Sequence, residues 1–202
     1  MTHAELFRQI EDLVPTLGGW SIPEKCCEFA AIVVAFRPRV TVELGTWMGR
    51  GAFSLAMAHR FVGCGKVHVV DPWSGAASAV GMDGQNAEWW EDQQKHELAY
   101  QKFCEMQGIL SLGEWMVVQR KTSDEGEIPS GIGLLIIDGN HGPQAIKDVE
   151  RWAPHVSHGG IVYLDDINWS GGAVARAGKM LMEDGFVPLY KRDQGIFYQR
   201  TR

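Results

Sequence analysis

A chain of 202 residues, 45% hydrophobic and 22% charged, has the size of one domain and enough apolar content to bury a full core, which excludes a disordered or low-complexity protein. Its formal net charge of −6 argues against nucleic acid as the main partner, because affinity for phosphate backbones needs basic surface. Met1 to Leu13 is polar with a helical apolar spacing and reads neither as a leader nor as a membrane span, so a cytoplasmic protein with no membrane partner is expected. The four cysteines, Cys26, Cys27, Cys64 and Cys104, have neither CxxC pairing nor zinc spacing and read as reduced, mostly buried thiols.

In chain order, Glu5 to Leu13 reads as a short amphipathic helix that Pro15 to Trp20 breaks. Ser21-Ile-Pro-Glu24 has the pattern of a capping box with proline near the first helical position, predicting a helix from Pro23 to Phe36. Val40 to Leu44 is a β-branched and apolar run, hence a strand. Gly45-Thr-Trp-Met-Gly49-Arg-Gly51 then turns the chain into a helix carrying Phe53, Leu55, Ala56 and Met57. A strand, glycine turn and helix present unpaired N–H groups and the positive end of the helix dipole, where a small anionic group can dock. A dinucleotide fingerprint needs a second glycine where Trp47 stands, which disfavours an NAD-dependent oxidoreductase. Glu43-Leu44-Gly45 followed by Gly49 resembles the first motif of the class I S-adenosylmethionine-dependent methyltransferases. The resemblance implies a cofactor lying over Gly45, Thr46, Trp47 and Gly49, with Glu43 near its cationic amino-acid end.

Lys66 to Asp71 is a second strand ending in an acid, and in a doubly wound sheet an acid there can accept both hydroxyls of a ribose. The alternative for Asp71 is a turn-initiating aspartate before Pro72. Trp73 is a candidate wall for the adenine face. Residues 74–86 are rich in glycine, serine and alanine, and Glu88 to Met106 looks helical. Residues 74–110 therefore form either a lid-like insertion or a helix that covers the sheet with Trp89 and Trp90 as core. Glu114 to Gln119 reads as a third strand. The turn after it contributes adenine contacts in the methyltransferase family, which makes Ser123 and Asp124 candidates beside the reading of a solvated turn.

Gly133 to Asp138 is a continuous apolar run, as expected of a central parallel strand buried on both faces. It ends in Asp138-Gly-Asn-His141-Gly-Pro143. A helix over 144–153 and a buried strand, Ile161 to Leu164, lead to Asp165-Asp166. Three acids converging at adjacent strand ends repel one another unless a positive charge lies between them, and oxygen donors without cysteine suit Mg²⁺ or another hard divalent cation. Capping after a buried strand is the structural alternative. The run DGNHGPQAIKDVERWAPHVSHGGIVYLDD resembles the metal-dependent O-methyltransferases, which include catechol O-methyltransferase and the enzymes that methylate macrolide sugars. By that match Asp138, Asp165 and Asp166 are metal ligands, Asp138 also stands with the cofactor contacts, and His141 holds the position of the general base. Two departures are Gly51, where relatives carry a serine that holds the cofactor carboxylate, and Pro143, where a tyrosine often stands.

Residues 171–183 predict a last helix, and 186–190 with 195–199 an antiparallel hairpin at the sheet edge. The whole reads as one α/β domain over 1–202: a doubly wound, mostly parallel, seven-stranded Rossmann-like sheet with a C-terminal antiparallel hairpin. The expected activity is divalent-cation-dependent transfer of a methyl group from S-adenosylmethionine to a hydroxyl of a small molecule such as a sugar, natural product or catechol. Metal-independent N-methyl transfer and noncatalytic cofactor binding remain as alternatives. Tryptophans 20, 73, 89, 90 and 169 suggest an aromatic-walled pocket or simple packing. A homo-oligomer is compatible with the sequence, which does not specify one.

Overall fold

The apolar runs at 40–44 and 132–137 form two central strands of one seven-stranded sheet in a computed structural model that describes residues 1–202. The strands are β1 (Val40–Leu44), β2 (Lys66–Val70), β3 (Met116–Gln119), β4 (Ile132–Ile137), β5 (Val156–Leu164), β6 (Phe186–Arg192) and β7 (Gly195–Arg200), in the order β3-β2-β1-β4-β5-β7-β6. Pairing is parallel from β3 through β5, and β7 runs antiparallel to both β5 and β6. This is the doubly wound α/β architecture expected, with one reversed strand. The helices are α1 (His3–Leu13), α2 (Pro23–Phe36), α3 (Arg50–Val62), α4 (Gly75–Ser78), α5 (Gly84–Glu91), α6 (Gln93–Ile109), α7 (Gln144–Trp152) and α8 (Ala173–Glu183). None is long and apolar enough to cross a membrane.

Alternate side chains of a strand leave opposite faces, so a central strand must be apolar throughout to serve two cores. Leu134 and Ile136 of β4 pack with Phe29, Val33, Phe53 and Phe103 of the helices on one face. Leu135 and Ile137 pack with Val149, Trp152, Val174 and Leu181 on the other. The parallel register brings Leu44, Ile137 and Leu164 to one level. The ladder continues one residue further: Asp138 N–H donates to the Leu44 carbonyl (2.9 Å) and Asp165 N–H to the Ile137 carbonyl (3.0 Å). The chain thus leaves three strands side by side, and that places the site.

Local expectations differ from the structure in three places. Ser21 does not cap α2, whose cap position is Ile22 with no side-chain hydrogen bond; its hydroxyl turns instead to Asp138. The capping box is at Thr2 and Glu5 of α1. The single helix expected over 88–106 is two, because Asp92 leaves the helical conformation and accepts from the N–H groups of Gln94 and Lys95 to start α6. All four cysteines are free, but they are not mostly buried as expected: Cys26 is buried, Cys27 and Cys64 are half-buried and Cys104 is exposed.

Phe53 is fully buried and stacked on Phe103 with ring centroids 5.0 Å apart. Phe53→Ala should cost about 3–5 kcal/mol of unfolding free energy by denaturant titration; a loss below about 1 kcal/mol would mean that α3 and α6 do not pack as described.

Candidate active site

One cavity of about 840 Å³ opens at the carboxyl ends of β1, β2, β4 and β5, where ligands bind in open α/β sheets. Its floor at one end is the turn after β1. Gly45 has φ +79°, and a Cβ there would strike the Asp138 carbonyl and Gly139 Cα, so the turn and the β4 end close on each other only through glycine. Glu43 is 3% exposed; Thr46 Oγ1 donates to its carboxyl, which also meets the Ala52 N–H at the start of α3. Burial pushes this carboxyl up to about 8 in spite of those hydrogen bonds. A Cβ at Gly51 would fall on Glu43 Oε1, so the serine that the resemblance leads one to expect there has no room beside the buried glutamate.

Asp71 closes the same turn from β2. Its Oδ2 accepts from the N–H groups of Thr46 (2.8 Å) and Trp47 (3.0 Å), and its Oδ1 from Trp73 N–H (2.7 Å). A carboxylate has about four acceptor positions, so one remains for a ribose rather than the two hydroxyls expected. Burial raises Asp71 above the ordinary carboxylate range against these bonds. Two candidate cofactor residues do not line the cavity. Trp73 is fully buried behind the turn, against Tyr100 and Phe103, with its indole N–H donating to the Trp47 carbonyl (2.8 Å). Its backbone is left-handed, φ 43°, and the ring packs in the core instead of on the cavity wall where a candidate adenine contact would stand. Gly49 caps α3 at φ +92°, and a Cβ there would meet the rings of Phe53 and Phe103, so its smallness serves packing. Glu43, Gly45, Thr46, Trp47, Asp71, Ser123 and Asp138 do line the cavity. Ser123 donates to the buried Asp148 (2.5 Å), and the Gln144 amide donates to both residues and to Asp124.

At the other end of the cavity, oxygens of Asp138, Asp165 and Asp166 lie within 4.8 Å of one another, as the strand ends predicted. Lys25 of α2 stands among them: its Nζ is 2.5 Å from Asp165 Oδ2 and 3.6 Å from Asp138 Oδ2. Asp165 Oδ1 accepts from the Tyr163 hydroxyl (2.9 Å), and Ser21 Oγ donates to Asp138 (3.4 Å). Burial and then the charge of Asp165 push Asp138 well above the usual carboxylate range. Burial opposes ionisation of Asp165 too, but the Lys25 ammonium holds it below that range. Asp166, in the left-handed region at φ 50°, brings Oδ2 to 3.0 Å from His141 Nε2, and His141 lies 4.8 Å from the Trp169 ring. Burial holds His141 below the ordinary imidazole range even though Asp166 and Asp165 work in the other direction. Its neutral ring donates from Nε2 to Asp166, leaving Nδ1 as the basic nitrogen.

Trp20, Trp47, Trp89 and Trp90 form a continuous wall with ring centroids 4.8 to 6.0 Å apart. Arg50, on α3, fixes the loop that carries Trp20 by donating to the carbonyls of Leu17 (2.9 and 2.6 Å) and Ser21 (2.9 Å). Asn140, beside the base, donates to the Ser78 and Val80 carbonyls and so ties the His141 loop to the 74–110 segment. Lys25, Arg50 and Asn140 went unread in the sequence, where each looks like an ordinary surface polar residue.

A family model described as a methyltransferase domain matches residues 42–167. No sequence among curated proteins matches this one. Among solved structures, the O-methyltransferase NovP is similar at a TM-score of 0.70 and 19% identity, over 89% of this chain and 79% of that one. The Podospora anserina methyltransferase PaMTH1, bound to SAH, is similar at 0.70 and 12%, over 98% and 88%. TomG, an O-methyltransferase of Streptomyces achromogenes in complex with SAM, is similar at 0.66 and 13%, over 99% and 88%. At these identities the likeness is one of fold.

Because the folded chain holds the Glu43 proton to about pH 8 while an ordinary glutamate loses it near 4.5, this group weighs increasingly against folding as pH rises between those values. Glu43→Gln keeps the Thr46 hydrogen bond and removes the titration. Its unfolding free energy should fall less steeply than wild type between about pH 5 and 8 in paired denaturation series; parallel slopes would mean that Glu43 is ionised in the folded protein.

Proposed function

Because the chain belongs to this methyltransferase-domain family, we propose that it is a divalent-cation-dependent O-methyltransferase that moves a methyl group from S-adenosylmethionine to a hydroxyl of a small molecule. The observation that carries the reading is the meeting of three acids and a neutral imidazole in the same cavity as the glycine turn. The donors suit a hard cation: all are carboxylate oxygens, and with all three ionised around a bound ion the one ammonium leaves two negative charges for a dication to neutralise.

Asp138, Asp165 and Asp166 would hold the cation, and Glu43, Gly45, Thr46, Trp47, Asp71 and Ser123 the cofactor. A divalent cation there supplies acidity to an acceptor hydroxyl and fixes its oxygen. His141 removes the hydroxyl proton through Nδ1 and, as imidazolium, rests on Asp166. S-adenosylmethionine held there would supply an electrophilic sulfonium methyl, whose transfer to the deprotonated oxygen would form a C–O bond at the expense of the S–CH₃ bond and leave S-adenosylhomocysteine. The wall of Trp20, Trp47, Trp89 and Trp90 gives the acceptor an apolar surface of mutually tilted indole rings, and the 74–110 segment carries two of these rings to the edge of the cleft. Positioning of this kind lowers barriers by up to about 7–11 kcal/mol, more than a single base supplies.

Lys25 favours a second reading, in which its ammonium balances Asp165 while Asp138 keeps its proton, and methyl transfer needs no cation. Chelation separates the two. Under the first reading, EDTA abolishes turnover and added Mg²⁺ restores it, whereas full activity in EDTA selects the second. Asp165→Ala should remove methyl transfer while calorimetric affinity for S-adenosylhomocysteine stays within about threefold, a change of under about 1 kcal/mol. His141→Ala should lower kcat by about 10²–10⁴ with partial recovery at high pH; an unaltered kcat would take His141 out of the mechanism.

A further inference from the structure

Lys25 lies in the first turn of α2, is 3% exposed, and has its Nζ over the Tyr163 ring, 5.7 Å from the centroid. A lysine so enclosed persists only when its charge is matched. Asp165 is gripped from both sides, by the Lys25 ammonium on Oδ2 and the Tyr163 hydroxyl on Oδ1. Asp138 is met by the same ammonium at 3.6 Å and by Ser21. Asp166, by contrast, is met only by His141. The start of α2 therefore delivers one fixed positive charge to one side of the acid cluster and leaves the side toward Asp166 and His141 open.

We propose that Lys25 is a positioning residue that stays seated at Asp165 when a cation enters and, by its charge, tunes the site to divalent over trivalent ions. The proposal rests on the cation-dependent reading above. With all three acids ionised, as a bound cation requires, the cluster carries three negative charges, and Lys25 reduces them to two. A dication then brings the site to neutrality, and a trication leaves an excess positive charge beside the enclosed Lys25 ammonium, which is costly. The repulsion that Lys25 exerts on an incoming ion is proportional to that ion's charge. Removing the ammonium should therefore favour a trivalent ion over a divalent one, whereas loss of a purely structural side chain should shift both equally.

Calorimetric titration of the full chain with MnCl₂ and with LaCl₃ tests this in wild type, Lys25→Met, Lys25→Gln and Lys25→Arg, each first checked by circular dichroism. Lys25→Gln keeps a hydrogen bond to Asp165 and serves if Lys25→Met does not fold. In the uncharged variants we expect tighter Mn²⁺ binding and a larger gain for La³⁺, about the 3/2 power of the Mn²⁺ gain, so that tenfold becomes about thirtyfold. Lys25→Arg, which keeps the charge, should hold both affinities within about threefold of wild type. Equal shifts for the two ions, or weaker Mn²⁺ binding in Lys25→Gln, overturn the role of Lys25 while leaving the cation site standing. A wild-type protein that binds neither ion fails the cation-dependent reading itself, and the proposal with it.

Discussion

Like charge at the ends of neighbouring strands governs the cleft. Parallel pairing ends β1, β4 and β5 at one level, so Glu43, Asp138, Asp165 and Asp166 are brought together by the backbone ladder and not by any attraction of their own. Several carboxylates at such a place cannot all ionise unopposed. Each neighbour supplies either positive charge or a hydrogen: Lys25 at Asp165, Thr46 and the start of α3 at Glu43, Ser21 at Asp138, His141 at Asp166. The fold of the 17–25 segment follows from this demand. Arg50 ties its loop by main-chain carbonyls, and α2 begins where Lys25 can reach the acids.

A second acid performs a different task at the nucleoside end. Asp71 accepts three main-chain N–H groups and thereby holds Trp47 and Trp73 in left-handed conformations, φ 53° and 43°, that bulky residues avoid. Two tryptophans are consequently aimed in opposite directions from one knot. Trp47 faces the cavity, and Trp73 fills the core behind it.

Much of this was legible in the chain. The unbroken apolar run at 132–137 announces a strand buried on both faces, and the acids at 138, 165 and 166 follow from where such strands must stop. The reversed β7 and the span of α2 follow from turn and proline signals just as directly. What stayed hidden depends on pairs far apart in sequence. Lys25 looks like a solvated helical lysine until Asp165, 140 residues on, is placed beside it. Ser21 carries a capping pattern, but α2 takes Ile22 as its cap residue, and the Ser21 hydroxyl faces the Asp138 carboxyl instead. Trp73 misleads because whether an indole beside a turn lines the cavity or packs against Tyr100 and Phe103 depends on those distant partners, which composition does not reveal.

The tryptophan wall has an optical consequence. Indole rings with centroids between 4.8 and 6.0 Å couple their excited states, so Trp20, Trp47, Trp89 and Trp90 absorb and emit as a group. Trp20 is 62% exposed and reaches the group from a loop, while Trp89 and Trp90 arrive on α5. A guest that separates Trp20 from Trp89 and Trp90 would change that coupling, and near-ultraviolet dichroism of the unlabelled protein would report its arrival.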